Sequence, residues 1–517
     1  MRNLIMTILV ASVGFIGMIS PIQAQMATMN EVETVAENWV NLIIEKRGDW
    51  GGSTTAYVSG IEEFKHGEKV IGYFCHVSPR GFIVVSLRRE LAPVKAYSST
   101  ACLDPESNLG IAVILKTSMG GIIEAIETRI GPIQSVRTSD LESILDIRYG
   151  DAWDQLAAGD FHRLDYQEGE VLLSSAWHQQ PPYNDDCPDE GCDWDYYGDY
   201  NSNTLVGCTA TAGAQIMRYW SWPPYGQDSP YNDYYDWPNI LDQYIYDTLE
   251  LRFEDEHGDT VTQAQIDAVA ELCHEAGEAA GMWYNCDWSY AEPCDDFFGR
   301  DMLDGFEDHF RYDTDAECLP RGMIPPDVWF SYIQFDINKN RPILYLIQTD
   351  WLPDHVIVCD GWREIGRTKQ YHMNFGWGPD AECDCPDGST QLCNYWHTLD
   401  EICESQGTPS QMMVIYLRPK NALGSSFSGT YSPPSFPYRY FDQDAESNGA
   451  TFQPGHNLQF LPGVTVTCTS TSGGSIDFQG TSANNTLLFS RGDQSKGIRI
   501  HGSGQVSLYQ HGSIKFR

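Results

Sequence analysis

The apolar positions change period along the chain, and those changes divide it. Between Met29 and Lys46 the residues Val32, Val35, Ala36, Trp39, Val40, Ile43 and Ile44 recur at three- and four-residue steps, which predicts an amphipathic helix. The pattern then shortens. Residues 70–76, 81–87 and 91–97 are brief apolar or alternating runs broken by Pro79, Gly81 and charged residues, so a small mixed α and β unit is expected up to about Gly169. Residues 209–220 form a helical stretch lined with small side chains and stopped by Pro223 and Pro224. Further on, residues 343–347, 355–361 and 371–378 read as strands. Residues 421–437, rich in Ser, Gly and Pro, bury too little apolar surface to fold and read as a linker. Beyond them the pairs Ile498/Ile500, Val506/Leu508 and Ile514/Phe516 repeat at a fixed spacing, the mark of a meander or a small β-solenoid.

A chain of 517 residues exceeds one core, so several domains are expected. Arg2, an apolar run from Leu4 to Ile19, Pro21 and the small residue Ala24 make an export signal. No later run reaches the roughly 20 apolar residues of a membrane span, so none is expected in the mature protein. With 72 acidic against 32 basic residues the net charge is −40, which repels phosphate backbones and argues against nucleic acid as a partner. The acidic run Asp185, Asp186, Asp189, Glu190, Asp193 and Asp195 offers oxygen ligands for calcium but lacks the loop spacing of an EF-hand; no cofactor is expected. Fifteen cysteines in an exported chain point to disulfides, and the odd count leaves at least one unpaired or paired between chains. Cys383, Cys385, Cys393 and Cys403 lack two clean zinc knuckles and read as bridge partners too. Arg491-Gly492-Asp493 and the sequon Asn484-Asn485-Thr486 are tripeptides of a kind that arise by chance.

One cysteine stands apart. Cys208 follows Gly207 and opens the helical stretch, where unpaired backbone N–H groups favour a thiolate. A nucleophilic thiol needs a base, and His355 begins a strand at an offset of 355 − 208 = 147 residues, inside the range of papain-like pairs. On the next strand Asn374 could accept from the imidazole and fix its tautomer, with Trp377 covering that bond from water. His372 reads as structural. Gln179, with the backbone N–H of Cys208, is assigned to the oxyanion, although spacing alone does not separate it from Gln180 or His178.

The segments WHQQPPYN, GCTATAGAQIMRYW, DHVIVCDGW and NFGWG together resemble the streptopain family of secreted bacterial cysteine peptidases, which includes the interpains. The resemblance covers residues 29–419 and implies an α+β fold: a papain-like catalytic domain preceded by an inhibitory prodomain, similar at residues 81–98 to the family's propeptide. It implies Cys208 as nucleophile, His355 as base, Asn374 as orienting residue and Gln179 in the oxyanion hole. The expected order is a signal peptide (1–24), prodomain (25–169), catalytic domain (170–420), linker (421–437) and small all-β domain (438–517). Protein or peptide substrates, and the prodomain as inhibitor, are the partners so implied. His178, Asp354 and Phe375 depart from the family's usual Asn, Gly and Trp. Asp354 beside the imidazole is expected to raise its pKa, and the cysteine-rich residues 381–403 to lengthen a loop near the cleft. The rival readings are a binding or matrix protein that kept the fold without the activity, and a protein whose function lies in the terminal β domain.

Overall fold

The computed structural model describes residues 26–107, 110–196, 199–247, 249–294, 300–347, 354–378, 394–398 and 411–420, and after these chiefly the strand backbone of the C-terminal segment. Helix α1 (Met29–Arg47) forms where the sequence predicts it. Thr28 and Glu31 close a reciprocal capping box at its start, and left-handed Gly48 ends it. Strands β1 (Tyr57–His66), β2 (Lys69–Ser78), β3 (Phe82–Ser86) and β4 (Val94–Ser98) follow as an antiparallel meander. Alternation gives this meander two apolar faces: Cys75, Ile83 and Val85 join the core around α1, while Phe74, Phe82 and Val84 join a second core. The second core also takes in Ile111, Leu115, Ile122 and Ile126 of helix α2 (Gly110–Ile130). Short helices α3 (Thr138–Glu142) and α4 (Gly150–Ala158) lead to β5 (Tyr166–Glu168).

Past the small hairpins β6 (Asp189–Tyr196) with β7 (Asp199–Asn203) and β8 (Ile245–Asp247) with β9 (Arg252–Glu254), helices α5 (Cys208–Trp220) and α6 (Gln263–Ala279) pack together. Helix α5 packs on β11 (Ile343–Ile347) and β12 (His355–Ile365) of a sheet that also holds β10 (Glu317–Pro320), β13 (Thr368–Asn374), β14 (Asn394–Thr398) and β15 (Gln411–Ile415). Val356 and Val358 of β12 face α5, and Ile357 and Cys359 face the other core, so the strand is buried on both sides.

The two units share one antiparallel sheet in the order β1-β2-β3-β4-β14-β13-β12-β11-β15-β10, with β5 added to β12. The join is β14, which pairs with β13 on one edge and β4 on the other. The cysteine-rich stretch therefore does more than lengthen a loop: residues within it supply the strand on which the N-terminal unit docks. Its four cysteines lie outside the described residues. At this join the Arg363 guanidinium is buried, stacks 3.8 Å over the Trp396 ring, donates to Tyr97 Oη and lies 3.3 Å from Glu168. Thr398 Oγ1 donates to the Val94 carbonyl at 2.6 Å.

The linker reading of residues 421–437 needs correction. Ala422–Leu423 and Ser426–Tyr431 are strands that pair in parallel with Tyr438–Phe441 and Ala445–Phe452. Parallel pairing continues to Ser513–Phe516 in two ladders, so the repeat is a solenoid, not a meander. Leu423, Tyr440, Phe441 and Leu458 belong to the same core as α5, and Tyr440 packs 5.6 Å from the Trp222 ring. A burial partner outside the segment supplied what its own composition lacks. The Arg491-Gly492-Asp493 tripeptide, the sequon's asparagines and residues 1–25 lie outside the described residues.

Candidate active site

Cys208 opens α5, as the sequence predicts. Gly207 before it sits at φ 88°, and a Cβ there would meet Met282 Sδ at 2.7 Å and the Ser289 carbonyl at 2.9 Å, so both conformation and space require glycine. His355 is the first residue of β12, and Val356 beside it donates its N–H to Cys208 Sγ at 3.4 Å. The helix start and the strand start thus meet at the thiol.

The imidazole is held differently from expectation. His355 Nε2 lies 3.0 Å from the Phe375 carbonyl oxygen. A carbonyl only accepts, so Nε2 carries the proton and Nδ1 keeps its lone pair for the thiol. Trp377 stacks on the ring at 4.5 Å and 22°, with Phe375 behind at 5.9 Å. Asn374 does not bond His355. Its Nδ2 donates to the Ser175 carbonyl at 2.8 Å and to Gln215 Oε1 at 3.2 Å, and its Oδ1 accepts from Gln215 Nε2 at 3.3 Å and from the Gly376 N–H at 3.1 Å. Its side chain shapes the turn that presents the Phe375 carbonyl.

Gln215 is the residue that the motif reading passed over. It is buried on α5, two helical turns past Cys208 and so on nearly the same face. Its Oε1 also accepts from Ser175 Oγ at 3.1 Å and the Trp177 N–H at 3.3 Å. One amide thereby ties α5 to Asn374 and to the strip leading to Gln179. A polar side chain in the middle of a helix otherwise lined with small and apolar residues was the available signal.

Gln179 accepts at its carbonyl from the Val206 N–H at 3.1 Å, which fixes its backbone two residues ahead of Cys208. His178 is buried, its Nδ1 accepts from the Gln180 N–H at 3.2 Å, and burial pushes its pKa down to about 3. It packs against Gly378, where a Cβ would meet its ring at 2.7 Å, so His178 is a structural side chain. His372 is structural as well: its Nδ1 lies 2.6 Å from Asp360 Oδ1, and Asp360 Oδ2 accepts from the Leu173 N–H.

Burial dominates the charges here. It raises the Cys208 thiol above its ordinary value, while N–H donors of Val356 and Thr209 pull the other way without prevailing. It lowers the His355 pKa to about 4, with the Phe375 carbonyl opposing. The rise expected beside Asp354 is overturned: the shift is downward, and burial is its main cause. Burial thus disfavours both the thiolate and the imidazolium. Cys75, Cys187, Cys273 and Cys359 are also free thiols, whereas Cys192–Cys286 and Cys294–Cys318 are bridged.

The acidic run at residues 185–195 includes side chains outside the described ones. Among the described residues the acidic side chains that converge are Asp233, Glu271 and Glu275, and burial first, then mutual repulsion, brings Glu271 to about 7. Among the described residues no helix is long and apolar enough to cross a membrane.

Residues 177–382 match the Peptidase C10 family. Streptopain of Streptococcus pyogenes serotype M1 is 22% identical over 390 residues, covering 72% of this chain and 87% of streptopain. The thiol protease/hemagglutinin PrtT of Porphyromonas gingivalis is 25% identical over 178 residues, covering 34% of this chain and 19% of its own length. Among solved structures, a fragment of Prevotella intermedia prointerpain A aligns over 69% of this chain and 97% of the fragment, at 20% identity and a TM-score of 0.47.

Proposed function

We propose, for this streptopain-like cysteine peptidase of the C10 family, that Cys208 and His355 carry the chemistry of an endopeptidase exported as a proenzyme. His355 Nδ1 takes the thiol proton as Cys208 Sγ attacks the peptide carbonyl carbon. The carbonyl oxygen, now negative, is held by the Cys208 N–H and the Gln179 side-chain amide. The imidazolium returns the proton to the departing amine, leaving a thioester to Cys208. Water, deprotonated by the same nitrogen, then releases the acid and restores the thiol. The Phe375 carbonyl keeps Nε2–H in place throughout, and Trp377 shields that bond. Gln215 and Asn374 act through others, as positioning residues.

The observation that carries this reading is the meeting of the Val356 N–H with Cys208 Sγ while His355 Nε2 is tied to Phe375. Residues 25–169 are the inhibitory prodomain in this reading, and Arg363, stacked on Trp396 and bonded to Tyr97, is its clasp. Export follows from the N-terminal signal pattern. The test is hydrolysis of unfolded casein by secreted protein beside Cys208→Ala, with N-terminal sequencing of both. Cleavage by the wild type and none by the variant supports the reading; cleavage by both refutes the assignment of Cys208.

A further inference from the structure

The N-terminal unit holds two cysteines in different states. Cys75 is a buried free thiol, whereas Cys102, half-buried four residues past the end of β4 (102 − 98), is disulfide-bonded. Its partner follows by elimination. Cys187, Cys208, Cys273 and Cys359 are free like Cys75, and Cys192–Cys286 and Cys294–Cys318 are closed pairs. Of the 15 cysteines, that leaves Cys383, Cys385, Cys393, Cys403 and Cys468, and every one of them stands beyond residue 169. The bridge from Cys102 therefore runs out of the N-terminal unit, whichever of these completes it.

Strand pairing narrows the choice. β4 meets β14 in antiparallel register, with Tyr97 opposite Trp396 and Ala96 opposite His397. In such a pair the chain leaving one strand and the chain entering the other lie at the same end. Cys102 comes soon after β4 in sequence, and Cys393 directly precedes Asn394, the first residue of β14. Cys468 belongs instead to the solenoid strand Thr465–Thr469. The solenoid's Tyr440 and Leu458 join the core of α5, not the cores that take Val94 and Ala96 of β4.

We propose that Cys102 is bridged to the cysteine-rich stretch 381–403, so that the prodomain stays covalently tied to the catalytic domain after the chain is cut between them, and that a dithiol reductant releases it. The inference rests on the reading of residues 25–169 as an inhibitory prodomain and adds the step that frees the enzyme. A cut near Gly169 by itself leaves the prodomain at the roughly millimolar effective concentration of a short tether, so it keeps its place on β14. Release is thiol–disulfide exchange. One thiolate of the reductant attacks a sulfur of the bridge, and its second thiolate then attacks the reductant's own sulfur in the mixed disulfide. Two electrons pass, Cys102 and its partner take up two protons as thiols, and the dithiol ends as a disulfide. Cys102 borders a cavity of about 490 Å³ with Ser78, Pro79, Arg80 and Gly81, which gives a small dithiol access to the bond. The other two bridges lie wholly beyond residue 169, so their reduction does not free the prodomain. Oxidising surroundings preserve the tether, and reducing ones open it.

The first test is a disulfide map of the full-length Cys208→Ala protein, alkylated and digested without reduction. A Cys102 peptide joined to one from residues 381–403 is expected; Cys102 alkylated, or joined to any other cysteine, overturns the bridge. This arm holds whether or not the chain is a peptidase. Processed wild type is then run on denaturing gels. Its N-terminal fragment should leave the catalytic fragment only when dithiothreitol is present, and in Cys102→Ser it should leave without it. Separation in wild type without reductant overturns the tether. In solution, dithiothreitol should raise casein hydrolysis by processed wild type at least about tenfold more than by processed Cys102→Ser. That variant keeps Cys208 and so controls for reduction of the nucleophile itself; equal gains overturn the gate. A wild type that never cuts itself counts against the peptidase reading, and the map still decides the bridge.

Discussion

Cys208 and Cys273 are both buried free thiols on helices packed against each other, yet their settings differ. Cys273 lies in the interior of α6, where every N–H belongs to the helix itself; burial and the neighbouring Cys187 drive its pKa well above the ordinary thiol value. Cys208 lies at the first position of α5, and burial raises it against the N–H groups of Val356 and Thr209. Burial raises both thiols, but only Cys208, at a helix start, has N–H donors opposing the rise.

Substitution of the two thiols is the harshest trial of that contrast. Cys208→Ala should lower peptide turnover by about 10⁴-fold or more, whereas Cys273→Ala should leave kcat/KM within about threefold. Next in size is Gln179→Ala, expected to cost about 10²–10³ in kcat because an oxyanion donor exists only beside Cys208. Gln215→Leu should lower kcat by about 10–10² with little change in KM, since a displacement of the helix start misaligns thiol and base. Because Gln215 and Asn374 bond each other, Gln215→Ala/Asn374→Ala should lose little more than the worse single variant; full additivity would show that the amide pair does not act as a unit.

The smallest effect is on stability against pH. The folded His355 pKa is lowered to about 4 from 6.5, so the unfolded chain binds the proton first as pH falls. The stability gained by burying the neutral ring is complete above pH 6.5 and is lost progressively toward pH 4. His178, lowered to about 3, adds a loss of the same sign. Melting temperatures between pH 7 and pH 4 should fall less steeply in His355→Gln than in the wild type, and parallel slopes would contradict the burial account.

The elements proposed to carry the reaction were legible because each has a strong local signal. Gly207 before a small-residue helix marked Cys208, and an apolar run marked the strand that His355 begins. The family resemblance put Gln179 ahead of its neighbours; His178 is buried, with its Nδ1 accepting from the Gln180 N–H. What escaped was set by contacts between distant segments. Asn374 looked like the imidazole's partner, but which group reaches Nε2 depends on how the chain turns after β13, and the turn offers the Phe375 carbonyl instead. Gln215 has no local mark of its partners at Ser175, Trp177 and Asn374. The supposed linker became strands because Leu423 finds α5's core and its segments pair with Tyr438–Phe441 and Ala445–Phe452, partners that its composition does not reveal.

The central claim is that Cys208, alone among the free thiols of the described residues, is the nucleophile. Processed enzyme should be treated with limiting iodoacetamide at neutral pH, its labelled cysteines mapped by peptide mass spectrometry, and residual casein hydrolysis followed in parallel. The account predicts that carbamidomethylation of Cys208 precedes that of Cys75, Cys187, Cys273 and Cys359 and tracks the loss of activity. Activity lost while Cys208 stays unmodified, or Cys208 found in a disulfide in active enzyme, would contradict it.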